Sequence, residues 1–303
     1  MAKKNKTYWE GRQKQWWDNQ DKLDDKAVRK LEMKYKQLSK DLEKDIAVYF
    51  HRYGKDNVIE FRNLMLSLDD NDRKLLFQSI EDFARKYPKY AHLMPVRESI
   101  YKLNRMQGLH YSMNMKLLEL GAFEQDTLEK HLLKTYGDQY AALMGELGLG
   151  QTFVAVNNEM MMNTIYTNWV NGENFSDRIW NNKEKMYRYM QTDFRDAIAR
   201  GDSYDNVARI MARRFDVGTH EAKRLVATES AFVFNQSHIK AYTEAGVTEY
   251  EFSAVMDSKT SRICRNLDGE RFRFDEAEVG LNFPPMHTWC RSTFIGVLDG
   301  LLE

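Results

Sequence analysis

Cysteine is scarce in this chain, and its scarcity excludes one class of fold. Only two cysteines, Cys264 and Cys290, occur in 303 residues, too few for the disulfide framework of a small secreted protein. No apolar run is long enough to span a membrane, and the N-terminus has no signal-peptide pattern. We therefore expect a protein made in a reducing cytoplasm, with no membrane association.

The chain also has no net charge, because 45 basic residues offset 45 acidic ones. A protein that coats nucleic acid normally has a basic excess, so any contact with DNA would need a local patch. Hydrophobic residues make up 43% of the chain and charged residues 30%. This composition is typical of a globular, helix-rich protein.

Helical periodicity dominates the first 246 residues. Between about residues 21 and 53, glycine and proline are absent and apolar residues recur at steps of three and four, which predicts one long amphipathic helix. A second helix is predicted after Asp70 or Asn71 as its N-cap. Later helices are expected to end at glycines such as Gly121 and Gly137, and a break is expected before Thr219.

The period changes to two near the C-terminus. Tyr250, Phe252, Ala254 and Met256 alternate with more polar neighbours, the segment 271–274 reads RFRF after a turn, and the segment 291–298 reads RSTFIGVL. The predicted fold is mainly α, with long helices and a small C-terminal antiparallel β-sheet. We expect a charged helical arm at 1–53, a helical body at 54–165, and helices followed by the sheet at 166–303.

Basic and aromatic residues alternate in the first 17 positions. The residues concerned are Lys3, Lys4, Lys6, Trp9, Arg12, Lys14, Trp16 and Trp17. Exposed rings and lysines together predict a surface that binds a partner protein or stacks on single-stranded nucleic acid. The alternative is a helical arm whose tryptophans pack on the body of the protein.

The segment PPMHTWCRS, residues 284–292, gathers rare residues and permits three interpretations. Cys264, His287 and Cys290 supply three zinc ligands, with Asp257, Asp268, His238 or water as the fourth. A cysteine nucleophile with His287 as its base is the second interpretation. The third is a buried, hydrogen-bonded structural knot that fixes the loops around the sheet. Its members would be Asp257, Thr260, Arg262, His287 and Arg291. We favour the knot, which assigns no catalytic residue and no cofactor and leaves zinc as an alternative.

Three segments carry a family resemblance. The stretches ATESAFVFNQSHIKAY, AVMDSKTSRICRNLDGERF and NFPPMHTWCRST resemble the C-terminal region of the phage Mu F-like minor head protein family, the phage head morphogenesis proteins. The resemblance extends from about residue 165 to 298. Many members of that family have cysteine at the positions of Ser261 and Ser292, so the two serines argue against a family-type metal cluster here.

The resemblance implies a structural minor head protein of a tailed phage or prophage and no enzymatic activity. The implied partners are the portal protein and the inner capsid, and packaged DNA is a further candidate. The expected role is in head morphogenesis and in DNA packaging or delivery, within the virion head and in the host cytoplasm during assembly. The alternatives are a metal- or cysteine-dependent hydrolase, or a DNA-binding module of the phage head.

Overall fold

The computed structural model describes residues 6–149 and 157–298. The helices and strands follow one another in this order: α1 (Lys6–Tyr53), α2 (Phe61–Leu64), α3 (Asp70–Lys86), α4 (Arg105–Glu146), α5 (Asn158–Ile165), α6 (Phe175–Ala199), α7 (Tyr204–Glu244), β1 (Glu249–Ser253), α8 (Arg262–Leu267), β2 (Arg271–Arg273) and β3 (Thr293–Gly296). Short 3-10 helices occupy Pro88–Leu93, Arg97–Lys102 and Phe274–Glu276. None of the described helices is long and apolar enough to cross a membrane.

The chain divides into two compact units. Unit 1 comprises Met1–Val28, Thr127–Ser176 and Lys223–Glu303, and unit 2 comprises Arg29–Asp126 and Asp177–Ala222. Each unit is therefore assembled from segments that are distant in the sequence. The consecutive segments predicted from the sequence, with boundaries at 53 and 165, do not correspond to these units, because α1, α4 and α7 each contribute residues to both.

The sheet of unit 1 has the strand order β2-β1-β3, and both pairings are antiparallel. Tyr250 of β1 lies opposite Phe272 of β2, and Phe252 lies opposite Phe294 of β3. The predicted mainly helical fold with a small C-terminal antiparallel sheet is thus confirmed. The alternation of apolar and polar residues located the strands because only one face of β1 is buried.

The sheet packs closely on helices of unit 1. A Cβ atom built on Gly296 of β3 would lie 2.5 Å from Cδ1 of Tyr242, so only glycine lets the ring of this α7 residue approach the strand. From α1, the Gln13 side-chain amide donates a hydrogen bond of 3.0 Å to the Phe294 carbonyl. The beginning of α1 is therefore part of the core of unit 1.

The core of unit 2 includes one face of α3. Leu76, Ile80 and Phe83 are buried together with Tyr111 and Met115 of α4. The N-cap of α3 is Asp69, whose side chain accepts a hydrogen bond of 2.8 Å from the backbone amide of Asp72. The cap thus lies one residue before the earlier of the two predicted positions.

Glycines do not end the long helices as the sequence predicted. Helix α4 continues through Gly121 and Gly137, and α7 continues through Gly218. At Gly121 a Cβ atom would lie 2.6 Å from the indole of Trp180, and at Gly218 it would lie 2.7 Å from the ring of Tyr35. These two glycines permit close packing of aromatic rings on a helix backbone. A glycine inside a helix destabilises it by only about 1 kcal/mol relative to alanine, so the helices continue through both positions.

Candidate metal centre

Three side chains meet where α8 approaches the loop before β3. Cys264 lies in the first turn of α8, whose N-cap Ser261 accepts a hydrogen bond of 3.2 Å from the Cys264 backbone amide. His287 and Cys290 lie in the loop, where the Cys290 amide donates a hydrogen bond of 3.1 Å to the His287 carbonyl. A helix start and a tight turn therefore present the three side chains, which we call the Cys–His cluster.

The ligand atoms of the Cys–His cluster are close together. The Cys264 sulfur lies 3.4 Å from Nε2 of His287 and 3.8 Å from the Cys290 sulfur. All three atoms lie within 4.8 Å of one another. The structure thus brings together the three residues that the sequence proposed as zinc ligands.

The orientation of the His287 ring follows from its other nitrogen. Nδ1 lies 2.8 Å from the Thr288 carbonyl, which can only accept a hydrogen bond. Nδ1 therefore carries the proton when the ring is neutral, and Nε2 directs a lone pair toward the Cys264 sulfur. A metal-binding histidine needs this tautomer when Nε2 is its ligand atom.

The two thiols have different proton affinities. Hydrogen bonding from Cys290 lowers the pKa of Cys264 to about 5, and the Ser261 and Ser292 hydroxyls act in the same direction. The hydrogen bond to Cys264, together with burial, raises the pKa of Cys290 far above its usual range. The two pKa values move in opposite directions because the two thiols share one hydrogen bond and titrate as a coupled pair.

The surroundings of the Cys–His cluster are mostly apolar. Cys264 and Cys290 pack with Phe252 of β1 and Met286, and both cysteines are only 2% exposed. His287 is half-buried. The cluster can hold a soft divalent cation, because two sulfurs and an imidazole nitrogen are the donors that zinc prefers.

The proposed structural knot separates into two parts. The Asp257 carboxylate accepts hydrogen bonds from Arg291 and, at 3.1 Å, from the Thr260 hydroxyl. Asp257, Arg262 and Arg291 are exposed, so the expectation of a buried knot was wrong for them. His287 belongs instead to the Cys–His cluster. Ion pairs and hydrogen bonds between such exposed side chains contribute little to the free energy of unfolding, because water screens them.

The three tryptophans near the N-terminus are buried in the protein and do not lie on a free arm. Trp9, Trp16 and Trp17 are between 2% and 7% exposed. Trp16 packs edge-on against His238, and Trp17 stacks on Phe234 with 4.4 Å between the ring centroids. The rings are therefore core residues of unit 1, as in the alternative interpretation of the sequence, and the prediction of exposed binding rings was wrong.

The basic residues of the same segment are partly paired. Lys6 lies 2.6 Å from the Glu251 carboxylate, and Arg12 forms an ion pair with Glu146. Lys14 is exposed. Lys3 and Lys4 lie outside the described residues. Two of the predicted nucleic-acid contacts are thus already engaged by carboxylates of unit 1.

Sequence reasoning missed two kinds of polar cluster. Ser261 and Ser292 contact the Cys264 sulfur; the family resemblance marked the two positions, but the residues alone did not assign the serines to the site. In unit 1, Asp24, His131 and Ser230 also meet, but the same histidine nitrogen contacts the carboxylate at 2.8 Å and the hydroxyl at 3.0 Å. A catalytic triad uses both ring nitrogens, so this cluster is a structural hydrogen-bond network.

The fold and the cluster define the class of the protein: a helix-rich α+β protein in which two buried cysteines and a half-buried histidine meet beside the C-terminal sheet. The family model described as phage Mu protein F like protein matches residues 188–295, from the second half of α6 to β3. The matched segment is about a third of the chain and is similar to the phage Mu F-like family. The match confirms the resemblance and suggests a role in phage head morphogenesis. No curated protein and no solved structure gave a significant match.

Proposed function

We propose that this chain is a structural minor head protein of a tailed phage or prophage, bound to the portal protein at the inner face of the capsid. The observation that carries the proposal is the phage Mu F-like domain at residues 188–295. The protein acts in head morphogenesis and in DNA packaging or delivery. Its location is the interior of the virion head, and the host cytoplasm during assembly.

Burial of the two cysteines supports a structural role over a hydrolytic one. A thiol nucleophile must reach the carbon that it attacks, with its base and an oxyanion donor beside the same point. Both thiols are 2% exposed and face each other and His287. A substrate could reach them only if the packing around this buried cluster opened, so we propose no enzymatic activity.

The N-terminal segment supports a protein partner over DNA. Nonspecific binding of single-stranded DNA combines a positively charged groove with exposed rings. Here Trp9, Trp16 and Trp17 are buried, and Lys6 and Arg12 are paired with carboxylates. The portal protein is therefore the primary partner in this proposal, and contact with packaged DNA is secondary.

Co-purification of the full-length chain with the portal protein of the same phage tests the proposal. The two proteins are co-expressed, the portal protein carries the affinity tag, and the eluate is separated by size. We expect this chain to elute with the portal oligomer at physiological salt. Elution of the chain alone, with the portal oligomer intact, would contradict the proposal.

The full chain is needed for this experiment. Deletion of residues 1–53 would remove buried residues of both units, such as Trp16 and Leu42, so lost binding would only report unfolding. Lys14→Glu is a milder change, because Lys14 is exposed. If DNA were the primary partner, this variant would weaken DNA binding and reduce its salt dependence. We expect Lys14→Glu to leave DNA binding unchanged and to co-purify with the portal protein as the wild-type chain does.

A further inference from the structure

The spacing of the ligand atoms in the Cys–His cluster matches that of a tetrahedral zinc site. With Zn–S bonds of about 2.3 Å and a Zn–N bond of about 2.0 Å, tetrahedral angles place two sulfurs about 3.8 Å apart and a sulfur and a nitrogen about 3.5 Å apart. The structure has 3.8 Å between the two sulfurs and 3.4 Å between the Cys264 sulfur and His287 Nε2. The ligand atoms therefore already stand at the spacing that the ion requires.

The groups around the ligands are also those of a zinc site. The hydrogen bond from His287 Nδ1 to the Thr288 carbonyl leaves the Nε2 lone pair free for the ion. Backbone amides of Met286 and Ser292 donate hydrogen bonds to the Cys290 sulfur. Such donors stabilise a thiolate that must stay deprotonated while it binds a metal.

Two serine hydroxyls stand beside the cluster in place of a third cysteine, because Ser261 and Ser292 both contact the Cys264 sulfur. In the described part of the chain, no further histidine, cysteine or carboxylate joins the group. The fourth ligands considered from the sequence lie elsewhere: Asp268 accepts a hydrogen bond from the Ala254 amide, and His238 packs against Trp16. Ser261 precedes Cys264 by three positions, as His287 precedes Cys290, and pairs of zinc ligands often have this spacing.

We propose that Cys264, His287 and Cys290 bind one structural Zn²⁺ ion, with the fourth position beside Ser261 and filled by an oxygen ligand. The two negative thiolates balance the charge of the ion. This pairing offsets the cost of burying two charged sulfurs among apolar side chains. The ion connects α8 to the loop that precedes β3. The apolar cluster there has only four buried members, and a small core of this kind gains stability from a bound metal.

Metal analysis of the purified full-length protein tests the proposal. We expect one zinc per chain after expression with zinc in the medium, and loss of that zinc in Cys264→Ser and in Cys290→Ser. His92→Ala is the matched control, because His92 is exposed, and it should retain the metal. Zinc that survives both cysteine substitutions, or that His92→Ala removes, would be an adventitious ion only and would overturn the proposal.

Cobalt substitution of the wild-type chain covers the case in which the cysteine variants fail to fold. Co²⁺ bound by two thiolates in a tetrahedral site gives sulfur-to-metal charge-transfer absorption and intense visible bands. We expect both features at one equivalent of Co²⁺, and their loss when Zn²⁺ is added. A folded wild-type protein without these bands would overturn the proposal.

A gain-of-function variant tests the fourth position. Ser261→Cys would supply a third sulfur at the open side, and we expect slower transfer of zinc to a competing chelator than in the wild-type protein. Ser258→Cys is the control, because it adds a cysteine to the exposed turn before α8. Equal transfer rates in wild-type and Ser261→Cys would contradict the placement of the open position beside Ser261.

Discussion

The indole of Trp180 lies against the backbone of Gly121, where a Cβ atom would come within 2.6 Å of the ring. In return, the indole N–H donates a hydrogen bond of 2.6 Å to the Gln125 side chain, one turn along α4. A glycine in the middle of a long helix is therefore explained by its neighbour in space. The same relationship gives a prediction whose sign differs between two glycines of one helix.

Gly121→Ala should destabilise the protein, although alanine is the better helix former. The added methyl group would overlap the Trp180 ring, and overpacking of this kind costs about 1–3 kcal/mol. Gly137→Ala is the matched control in α4, because a Cβ atom there meets nothing within 4 Å. It should stabilise the protein by about 0.5–1 kcal/mol. Urea unfolding of the two variants measures both effects, and equal shifts in the same direction would contradict this explanation.

Trp17→Ala should destabilise the protein strongly. The ring is buried and stacks on Phe234, and truncation of such a residue costs about 3–5 kcal/mol. Trp289→Ala is the control, because that indole is 47% exposed, and its cost should stay near 0.5 kcal/mol. Thermal unfolding compares the two. A near-neutral Trp17→Ala would restore the interpretation of the N-terminal segment as an exposed binding arm.

The buried ion pair of unit 2 should be sensitive to loss of one partner. Lys183 lies 2.6 Å from Glu124, both side chains are at most 6% exposed, and the Tyr35 hydroxyl donates a hydrogen bond of 2.8 Å to the same carboxylate. Glu124→Gln leaves a buried ammonium without its counter-ion, at a cost of about 3–5 kcal/mol.

The matched control for that variant lies on the same helix as Lys183. Glu184 and Arg188 form an exposed pair at 3.5 Å, with side chains that are 65% and 69% accessible. Glu184→Gln should change the free energy of unfolding by about 0.5 kcal/mol or less. Chemical unfolding at neutral pH measures both variants. Similar costs for the two glutamines would show that the Glu124 pair is not desolvated.

Acid should destabilise the protein partly through His238. Complete burial lowers the pKa of His238 to about 3, against an unfolded value near 6.5. Because the folded pKa is the lower one, the unfolded chain binds more protons between these values. Stability is therefore unaffected by His238 above pH 6.5 and falls as the pH decreases toward 3, by up to about 1.4 kcal/mol per pH unit.

His238→Gln should reduce that pH dependence. His110, whose pKa burial lowers to about 4, acts in the same direction and remains in the variant, so the slope should decrease without vanishing. His92→Gln is the control, since that residue is exposed, and it should leave the slope unchanged. Unfolding free energies measured from pH 7 to pH 4 compare the three proteins. A wild-type slope in His238→Gln would mean that His238 is charged in the folded state.

The sequence was sufficient for the strands and for the fold class, because a half-buried strand leaves a period of two in the order of its residues. It was not sufficient for the helix ends. Gly121 and Gly218 look like helix breakers until Trp180 and Tyr35, which are distant in the sequence, are placed against them. Without those tertiary contacts, the sequence could not show where the long helices end or which segments belong to each unit.

The candidate site was predicted in part. The residue types of Cys264, His287 and Cys290 indicated metal or thiol chemistry, but their spacing along the chain does not give the distances between their ligand atoms. The exposure of Asp257 and the contact of Ser292 with Cys264 depend on how α8 meets the loop before β3. No local pattern encodes that meeting.

The content of assembled heads tests the proposed function most directly. Heads of the phage or prophage that carries this gene are purified on a density gradient, and quantitative mass spectrometry compares this chain with the portal protein. We expect the chain inside wild-type heads in a few copies for each portal, and fewer DNA-filled heads when the gene is deleted. Normal, DNA-filled heads that do not contain the chain would contradict the proposal.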